Sequence, residues 1–264
     1  MTLRPDAGEA AETGPIDIAL ADIVSGKPVP PRPSHLTRVS ARDAELRGLG
    51  VVPGLETAEL GGWLLRTDPA PVGRLLKRAN SCLAMGSPGL PFPEATERLL
   101  AFYAARDREP MAQVEQGSEV EAAFLAAGWR PLGRGDASFQ ATALARLHRL
   151  LAPGGGACAE LVEAPHGHAR GARAEIRDDH GTRIAAGSAV LDRDWLGLHG
   201  LSVDADHRRR GLATALVADL VEWGAEQGAR TVWLHVETDN VTARAMYEKL
   251  GFREHHAVRY LVPA

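Results

Sequence analysis

The stretch from Val203 to Thr214, with the sequence VDADHRRRGLAT, constrains the fold more than any other part of this chain. It joins an apolar, strand-like segment to a long segment with helical periodicity. A helix is predicted over residues 211–227, where the apolar residues of one broad face are Leu212, Ala213, Leu216, Val217, Leu220 and Val221. A chain that passes from a strand directly into a long amphipathic helix is typical of a sheet covered by helices.

The same junction has the composition of an anion-binding site. A helix start presents backbone N–H groups without intrahelical partners, together with the positive end of the helix dipole. Gly211 lets the backbone approach an anion closely, and the small Ala213 keeps the turn uncrowded. The arginines Arg208, Arg209 and Arg210 add forked donors. Two interpretations remain open from these residues: a pyrophosphate site, or a solvated basic turn that begins a helix.

Alternation and turn signals predict the other elements of the C-terminal half. Asp179-His180-Gly181 predicts a hairpin turn, Asn240 is expected to cap a second helix, and Gly251 is expected to end it. The predicted strands cover residues 158–165, 173–179, 183–192, 195–203, 231–237 and 253–262, and the second helix covers residues 241–250. This order predicts an α/β (α+β) protein with a mixed β-sheet flanked by helices.

Composition shifts predict where the chain divides. Residues 1–36 combine acidic, alanine-rich sequence with a proline cluster, which predicts a flexible N-terminal tail. Residues 151–157 contain a proline followed by three glycines, which cannot hold a regular element and predict a linker. We therefore expect one domain over residues 37–150 and a second over residues 158–264.

The first of these domains resembles the second. Segments that begin at Leu99 and at Val221 both predict a helix, a strand, a helix and a Gly-aromatic-Arg ending, which indicates duplication of one fold. The copies differ at the junction, because the first has GSPGLPFP where the second has the arginine run, and prolines lack N–H donors. The first copy also has Phe124 near the position of Tyr247. Its further strands are predicted over residues 63–66 and 78–85, and its first helix over residues 93–106.

Two motifs resemble those of the GNAT superfamily of N-acetyltransferases. RRRGLA, which begins at Arg208, fits the family's Gln/Arg-x-x-Gly-x-Gly/Ala acetyl-CoA motif. NVTARAMYEKLGF, which begins at Asn240, fits its second signature, an Asn, then an Ala, then a Tyr shortly before Gly-Phe. The resemblance covers residues 173–262. The whole chain, including residues 61–131, also resembles a tandem, actinobacterial-type subgroup with a degenerate N-terminal copy, which implies a GNAT-like fold in two copies.

The resemblance implies acetyl-CoA as co-substrate. The residues that it implies for binding are Leu201, Val203, Arg208, Arg209, Arg210, Gly211, Leu212, Ala213, Thr214, Asn240, Ala243 and Tyr247. It further implies that the backbone N–H near Val203 polarises the acetyl carbonyl and that Tyr247 is the general acid. Without the motif, Tyr247 would be interpreted as a core tyrosine with a structural hydrogen bond.

The general base is less constrained. His235 occupies the position where some family members carry a glutamate that is proposed as base, and strand alternation puts His235 and Glu237 on one face. A neutral imidazole suits removal of an ammonium proton. Glu237 is the second candidate and His199 the third. A half-buried His235 that is satisfied by its neighbours remains an open interpretation.

The family normally places one or two helices between its first two strands, where they wall the acceptor pocket. Here only residues 166–171 separate the two predicted strands. We therefore expect the N-terminal domain to supply that wall and the acceptor to bind in the cleft between the domains. His255 and His256 are expected to line the pocket through one ring, and Asp192, Asp194 and Glu237 would suit a cationic acceptor.

The resemblance implies an N-acetyltransferase that moves an acetyl group to a primary amine of a small molecule by direct transfer in a ternary complex. A protein or peptide N-acetyltransferase and a non-catalytic acyl-CoA-binding sensor remain open. The net charge of −4 disfavours nucleic acid, and no apolar run is long enough for a membrane helix. With two cysteines and no signal-peptide pattern, we expect a cytoplasmic protein without a cysteine-type metal site. We expect no bound metal, and either a monomer or a homodimer.

Overall fold

The computed structural model describes residues 35–71, 76–151, 160–166 and 169–264, in which strands from both halves of the chain form one sheet. The strands are β1 (Glu56–Leu60), β2 (Trp63–Thr67), β3 (Cys82–Leu83), β4 (Ala112–Glu115), β5 (Arg130–Pro131), β6 (Ala137–Ala143), β7 (Glu160–His166), β8 (Ala169–Arg177), β9 (Arg183–Asp192), β10 (Trp195–Val203), β11 (Thr231–Glu237) and β12 (Arg253–Val262). The helices are α1 (Ala41–Leu46), α2 (Phe92–Ala104), α3 (Glu119–Ala126), α4 (Leu144–Leu150), α5 (Leu212–Glu226) and α6 (Val241–Lys249).

The sheet is mixed, as predicted. Its strand order is β1-β2-β3-β4-β12-β6-β11-β10-β9-β8-β7, and β5 pairs with the end of β12. The pairs β3–β4 and β10–β11 are parallel, and the chain crosses between them through α2 and α5 respectively. The other pairs are antiparallel.

Strands of the two halves interleave at the centre of the sheet. β6, from the first half, lies between β11 and β12 and pairs with both over almost its whole length. β12 pairs with β6 through residues 253–258 and then with β4 through residues 258–261. The sequence analysis predicted neither β6 nor α4. The division into domains at 37–150 and 158–264 stays a prediction, and most of the linker proposed at 151–157 lies outside the described residues.

The C-terminal half follows the predicted order of elements. Its hairpin, its two helices and its last three strands form within a few residues of the predicted bounds, and the start of the first predicted strand, at 158–159, lies outside the described residues. In the first half, the strand predicted over residues 78–85 is wrong. Lys77–Asn80 is a 3₁₀ helix and only Cys82–Leu83 is a strand. The Asn80 side chain explains this turn, because its amide donates to Leu76 O (3.0 Å) and its oxygen accepts from Asp68 N (3.0 Å).

The two repeated segments fold into the same order of elements, α2-β4-α3-β5 and α5-β11-α6-β12. The glycines that follow α3 and α6, Gly128 and Gly251, both have a φ of +85°, the left-handed conformation that ends a helix. The aromatic residue after each glycine, Trp129 or Phe252, is buried. These likenesses support the duplication, which we propose as the origin of the fold.

Each face of the sheet in the second half is covered by a different part of the chain. On one face, α5 packs its apolar side on the even-numbered residues of β11, Val232, Leu234 and Val236. On the other, residues 36–51 cover Phe139 of β6 and Trp233 of β11, whose rings stack with centroids 5.1 Å apart. Among the described residues, no helix has the length and apolar character that a membrane span needs.

A buried carboxylate fixes α1 to this second face. Oε1 of Glu45, fully buried on α1, lies 2.7 Å from Nε2 of His235 on β11 and 3.1 Å from Nε2 of His256 on β12. His255 continues the chain of contacts, since its Nδ1 lies 2.8 Å from Nδ1 of His256 and its Nε2 donates to the Leu36 and Val39 carbonyls. Because a buried charge is costly without partners, these contacts tie residues 36–45 to the central strands.

The pKa values of two members of this cluster, Glu45 and His235, are both lowered. Burial by itself would raise the pKa of Glu45, but His235 and His256 outweigh it and hold that pKa well below 4.5. Burial lowers the pKa of His235 to about 4, aided by the positive charge of Arg78 and opposed by Glu45. The folded protein therefore takes up fewer protons than the unfolded chain as the pH falls below about 6.5.

We expect Glu45→Gln to lower the free energy of unfolding at pH 7 by about 2–4 kcal/mol, because both rings lose a charged acceptor. The loss should shrink as the pH falls through about 4.5 and below, since a depressed carboxyl pKa stabilises only above its unfolded value. Urea unfolding at several pH values measures both effects, with the exposed Glu97→Gln as control. A loss that is independent of pH, or no larger than that of the control, would contradict the assignment.

Candidate active site

The parallel strands β10 and β11 separate before they end. They pair from Trp195 with Thr231 to Leu198 with Leu234, and the pairing stops there. β10 then follows β9 through a bulge between His199 and Ser202, while β11 follows β6 as far as Glu237. The parallel ladder between β10 and β11 therefore does not extend to residues 199–203 and 235–237.

The loop after β10 leads to an uncapped helix start. Arg209 (φ +61°) and Gly211 (φ +80°) are in the left-handed region, and Gly211 precedes α5 without a side-chain cap. The N–H groups of the first turn, at Leu212, Ala213 and Thr214, are thus left for a ligand. Left-handed backbone at Arg209, a non-glycine residue, is uncommon and marks a turn whose shape is held by its surroundings.

The three arginines of this loop are exposed, and none of them forms an ion pair within the described part of the chain. Arg208 Nε donates to the Val203 carbonyl (3.2 Å), which holds the loop against the end of β10. Exposed guanidinium groups beside unpaired helix N–H groups form an anion-binding surface. This geometry fits a pyrophosphate site, which stays a prediction beside the interpretation as a solvated basic turn.

Helix α6 brings the second motif beside the same face. The Asn240 side chain accepts from Ala243 N (3.1 Å) and caps α6, as predicted. Tyr247 is 6% exposed, its ring packs on Phe252, and its hydroxyl forms no hydrogen bond with the described residues. Burial raises the pKa of Tyr247 to about 12. The hydroxyl is therefore protonated at neutral pH. The described residues do not form the structural hydrogen bond that a core tyrosine was expected to have.

The apolar residues implied for binding lie next to this region. Leu201, Val203 and Ala243 are partly buried and pack on the core between α5 and the sheet. The residues that the resemblance implies for acetyl-CoA binding belong to β10, to the loop after it, to the start of α5, or to α6 with its N-cap.

A cavity of about 230 Å³ lies on the other face of the sheet, near the carboxyl end of β11. His235 and Glu237 line it, and the rest of its wall comes from the first half of the chain and from Tyr260 of β12. Its lining residues are Gly48, Leu49, Val51, Val52, Leu55, Arg66, Leu76, Lys77, Arg78, Ala79, Gly135, Ala137, His235, Glu237 and Tyr260. The first half thus supplies most of the wall of this cavity, and acceptor binding there stays a prediction.

The two leading candidates for the general base, Glu237 and His235, differ in their surroundings. Glu237 is exposed at the end of β11. The side chain of His235 is 6% exposed, its Nε2 is engaged by Glu45, and its Nδ1 is buried without a partner among the described residues. His199, the third candidate, lies at the bulge of β10 and is not among the described lining residues.

His255 and His256 are not among the described residues that line this cavity, so the expectation that one of their rings lines the pocket does not fit it. Their nitrogens are engaged by Glu45, by each other and by backbone carbonyls. Asp192 is held by Arg47 Nη1 (3.1 Å), so its charge is engaged by the fold. The sequence analysis missed Glu45 and Arg66. Arg66 carried a signal, a charge inside the apolar run Trp-Leu-Leu-Arg, whereas Glu45 had none.

Comparisons with known proteins agree on the second half of the chain. A family model described as "Acetyltransferase (GNAT) family" matches residues 154–252. The ribosomal protein bS18-alanine N-acetyltransferase of Escherichia coli (strain K12) is 42% identical over 71 residues, 27% of this chain and 47% of that relative. An uncharacterized N-acetyltransferase of Methanocaldococcus jannaschii is 36% identical over 72 residues, 27% of this chain and 32% of that relative. The chain thus spans about half or less of the length of these curated relatives.

Solved structures resemble more of the chain, at lower identity. A GCN5-related N-acetyltransferase from Kribbella flavida has a TM-score of 0.63 and 20% identity, covering 86% of this chain and 95% of that one. A tandem GNAT protein from the clavulanic acid biosynthesis pathway has a TM-score of 0.55 and 20% identity, covering 83% and 86%. This likeness concerns the fold. Residues 154–252 therefore match the acetyltransferase domain of the GNAT family, and the fold resembles that of GNAT N-acetyltransferases of known structure.

Proposed function

We propose that this protein transfers the acetyl group of acetyl-CoA to a primary amine of a small molecule, directly, while both substrates are bound. The observation that carries this function is the separation of β10 from β11 beside the uncapped, arginine-rich start of α5. One side of the gap offers a seat for phosphates, and the other offers a cavity with Glu237 at its wall. A thioester that lies in the gap would meet an amine in the cavity.

The donor would be bound by backbone more than by side chains. The N–H groups of residues 212–214 and the guanidinium groups of Arg208, Arg209 and Arg210 would hold the pyrophosphate. The pantetheine arm would lie in the gap beside Leu201 and Ala243, with the Asn240 amide as a polar contact. The backbone N–H near Val203 would polarise the acetyl carbonyl.

The transfer forms a bond from the amine nitrogen to the acetyl carbon and breaks the carbon–sulfur bond. The sulfur leaves as a thiolate, and Tyr247 is the residue that would protonate it. Its hydroxyl remains protonated because burial raises the pKa to about 12, and no described residue competes for it. A general acid contributes roughly 10²- to 10⁴-fold to such a step.

Glu237 is the better candidate for receiving the ammonium proton. It is exposed at the cavity wall, whereas Nε2 of His235 is engaged by Glu45 and Nδ1 of His235 is buried. His235 would instead hold the end of β11 in place through Glu45.

The acceptor does not follow from the comparisons. Most of the cavity wall, at residues 48–79, 135–137 and 260, lies outside the matched range 154–252. The name of the Escherichia coli relative places its acceptor on a ribosomal protein's alanine. A peptide N-terminus is therefore the second candidate, while the small volume of the cavity favours a small amine. Release of CoA from acetyl-CoA with a panel of small amines and of peptides tests both, and no release with any of them would contradict the proposed function.

Tyr247→Phe should lower kcat by roughly 10²-fold or more, because the leaving sulfur loses its proton donor. The affinity for acetyl-CoA should change little, since the ring and its contact with Phe252 remain. Single-turnover rates and calorimetric binding measure the two effects separately. A Tyr247→Phe enzyme with an unchanged kcat would remove Tyr247 from the mechanism.

Glu237→Gln should lower kcat/KM at pH 7 by roughly 10- to 10²-fold and should flatten the acidic limb of its pH profile. His235→Gln should retain that limb and should lose stability instead, because it removes the contact with Glu45. The pH profiles of both variants, with unfolding curves, make the comparison. A limb that disappears only in His235→Gln would assign the base to His235.

A further inference from the structure

The cavity at the end of β11 carries an excess of positive charge. Arg66, Lys77 and Arg78 line it, whereas Glu237 is the one carboxylate among the described lining residues. The three cations come from the first half of the chain, outside residues 154–252. A pocket with this balance attracts an anionic group, while its single carboxylate suits an ammonium group.

Arg66 is the most informative of the three cations, because its side chain is 1% exposed. Nε donates to Ser81 O (3.0 Å), and Nη2 donates to Ser81 Oγ (3.1 Å) and to Gln113 Oε1 (2.7 Å). All three acceptors are neutral, and Nη1 has no hydrogen-bond acceptor among the described residues. The negative charge of Glu45 is felt by Arg66, but the two side chains are too far apart to form an ion pair. A buried cation without a paired anion is costly, so an anionic ligand here would relieve that cost.

Arg78 is the second cation that matters. It is half-buried, its positive charge acts on Tyr260 and on His235, and it forms no ion pair with the described residues. Lys77 Nζ donates to the Arg134 carbonyl (3.2 Å) and lies 5.2 Å from the centre of the Tyr260 ring. Arg66 and Arg78 therefore place two cationic groups at the cavity wall without an ion-pair partner among the described residues.

We propose that the cavity takes an acceptor that carries a carboxylate near its amine, that is, an amino acid or an amino-acid-like molecule. Arg66 and Arg78 would bind the carboxylate, and Glu237 would receive the amine. A planar carboxylate matches the forked donors of a guanidinium group, and about 230 Å³ suits a molecule of that size. Opposite charges at the two ends of the molecule fix its orientation. The inference rests on the proposed function, because it names the acceptor of that reaction.

The test compares the twenty common amino acids with their carboxamides as acceptors, by release of CoA from acetyl-CoA. At least one amino acid should have a kcat/KM tenfold or more above that of its amide, roughly the value of one charge-assisted hydrogen-bond pair. Arg78→Gln should bring that ratio close to one. Arg149→Gln, which removes an exposed arginine of α4, should retain it. Amides that react as well as the acids, or a ratio that survives Arg78→Gln, would overturn the proposal.

A binding measurement separates this inference from the proposed function. N-acetylated amino acids and their amides are titrated by calorimetry into the full-length protein with CoA present. Tighter binding of the acids that Arg78→Gln abolishes supports the carboxylate site even if no amine is acetylated. Acetylation of amines with equal binding of acids and amides overturns the site and leaves the function. A preference for O-phosphoethanolamine over every amino acid would make the anion a phosphate and would likewise overturn the carboxylate assignment.

Discussion

The position of β6 between β11 and β12 is the constraint on which the rest of the structure depends. It makes the first half of the chain a structural part of the sheet that carries the GNAT motifs. Once β6 is in place, Phe139 stacks on Trp233, and residues 36–51 can cover both rings. Glu45 then reaches His235 and His256 from the covering segment. The cavity results from the same arrangement, because it is the space that residues 36–51 and the neighbouring segments leave open.

In the proposed function, the two faces of the sheet have different chemical roles. Toward α5 and α6, the gap between β10 and β11 meets exposed arginines, unpaired helix N–H groups and the protonated Tyr247 hydroxyl. On the other face, the end of β11 carries Glu237 among cations from the first half. The two sets of groups meet where the strands stop pairing, after Leu198 and Leu234. In the proposed reaction, the acetyl group crosses the sheet at this point.

Local sequence was sufficient for the features that depend on local physics. The apolar face of α5, the Asn240 cap and the glycine after α6 each have a short-range signature, and all three appear in the structure. The donor side of the proposed site depends on such features, so the sequence alone could single out its candidate residues. β6 could not, because its burial pattern lacks alternation and its partners lie far along the chain.

The acceptor side depends on long-range contacts, and for that reason the sequence left it open. Glu45 precedes His235 by 190 positions, and a single acidic residue in a short helix predicts no partner. His235 was interpreted as the first candidate base because its burial could not be seen. Arg66 and Arg78 gained significance only when the fold brought them to the same cavity as Glu237.

Calorimetric titration of the full-length protein with acetyl-CoA tests the central claim most directly, because it reports the number of donor sites per chain. One site per chain is expected, with an affinity that falls by roughly tenfold or more when Arg209 and Arg210 are both replaced by glutamine. Two sites per chain would place a donor site in the first half as well. No binding by folded protein would contradict the assignment of the gap between β10 and β11 to acetyl-CoA.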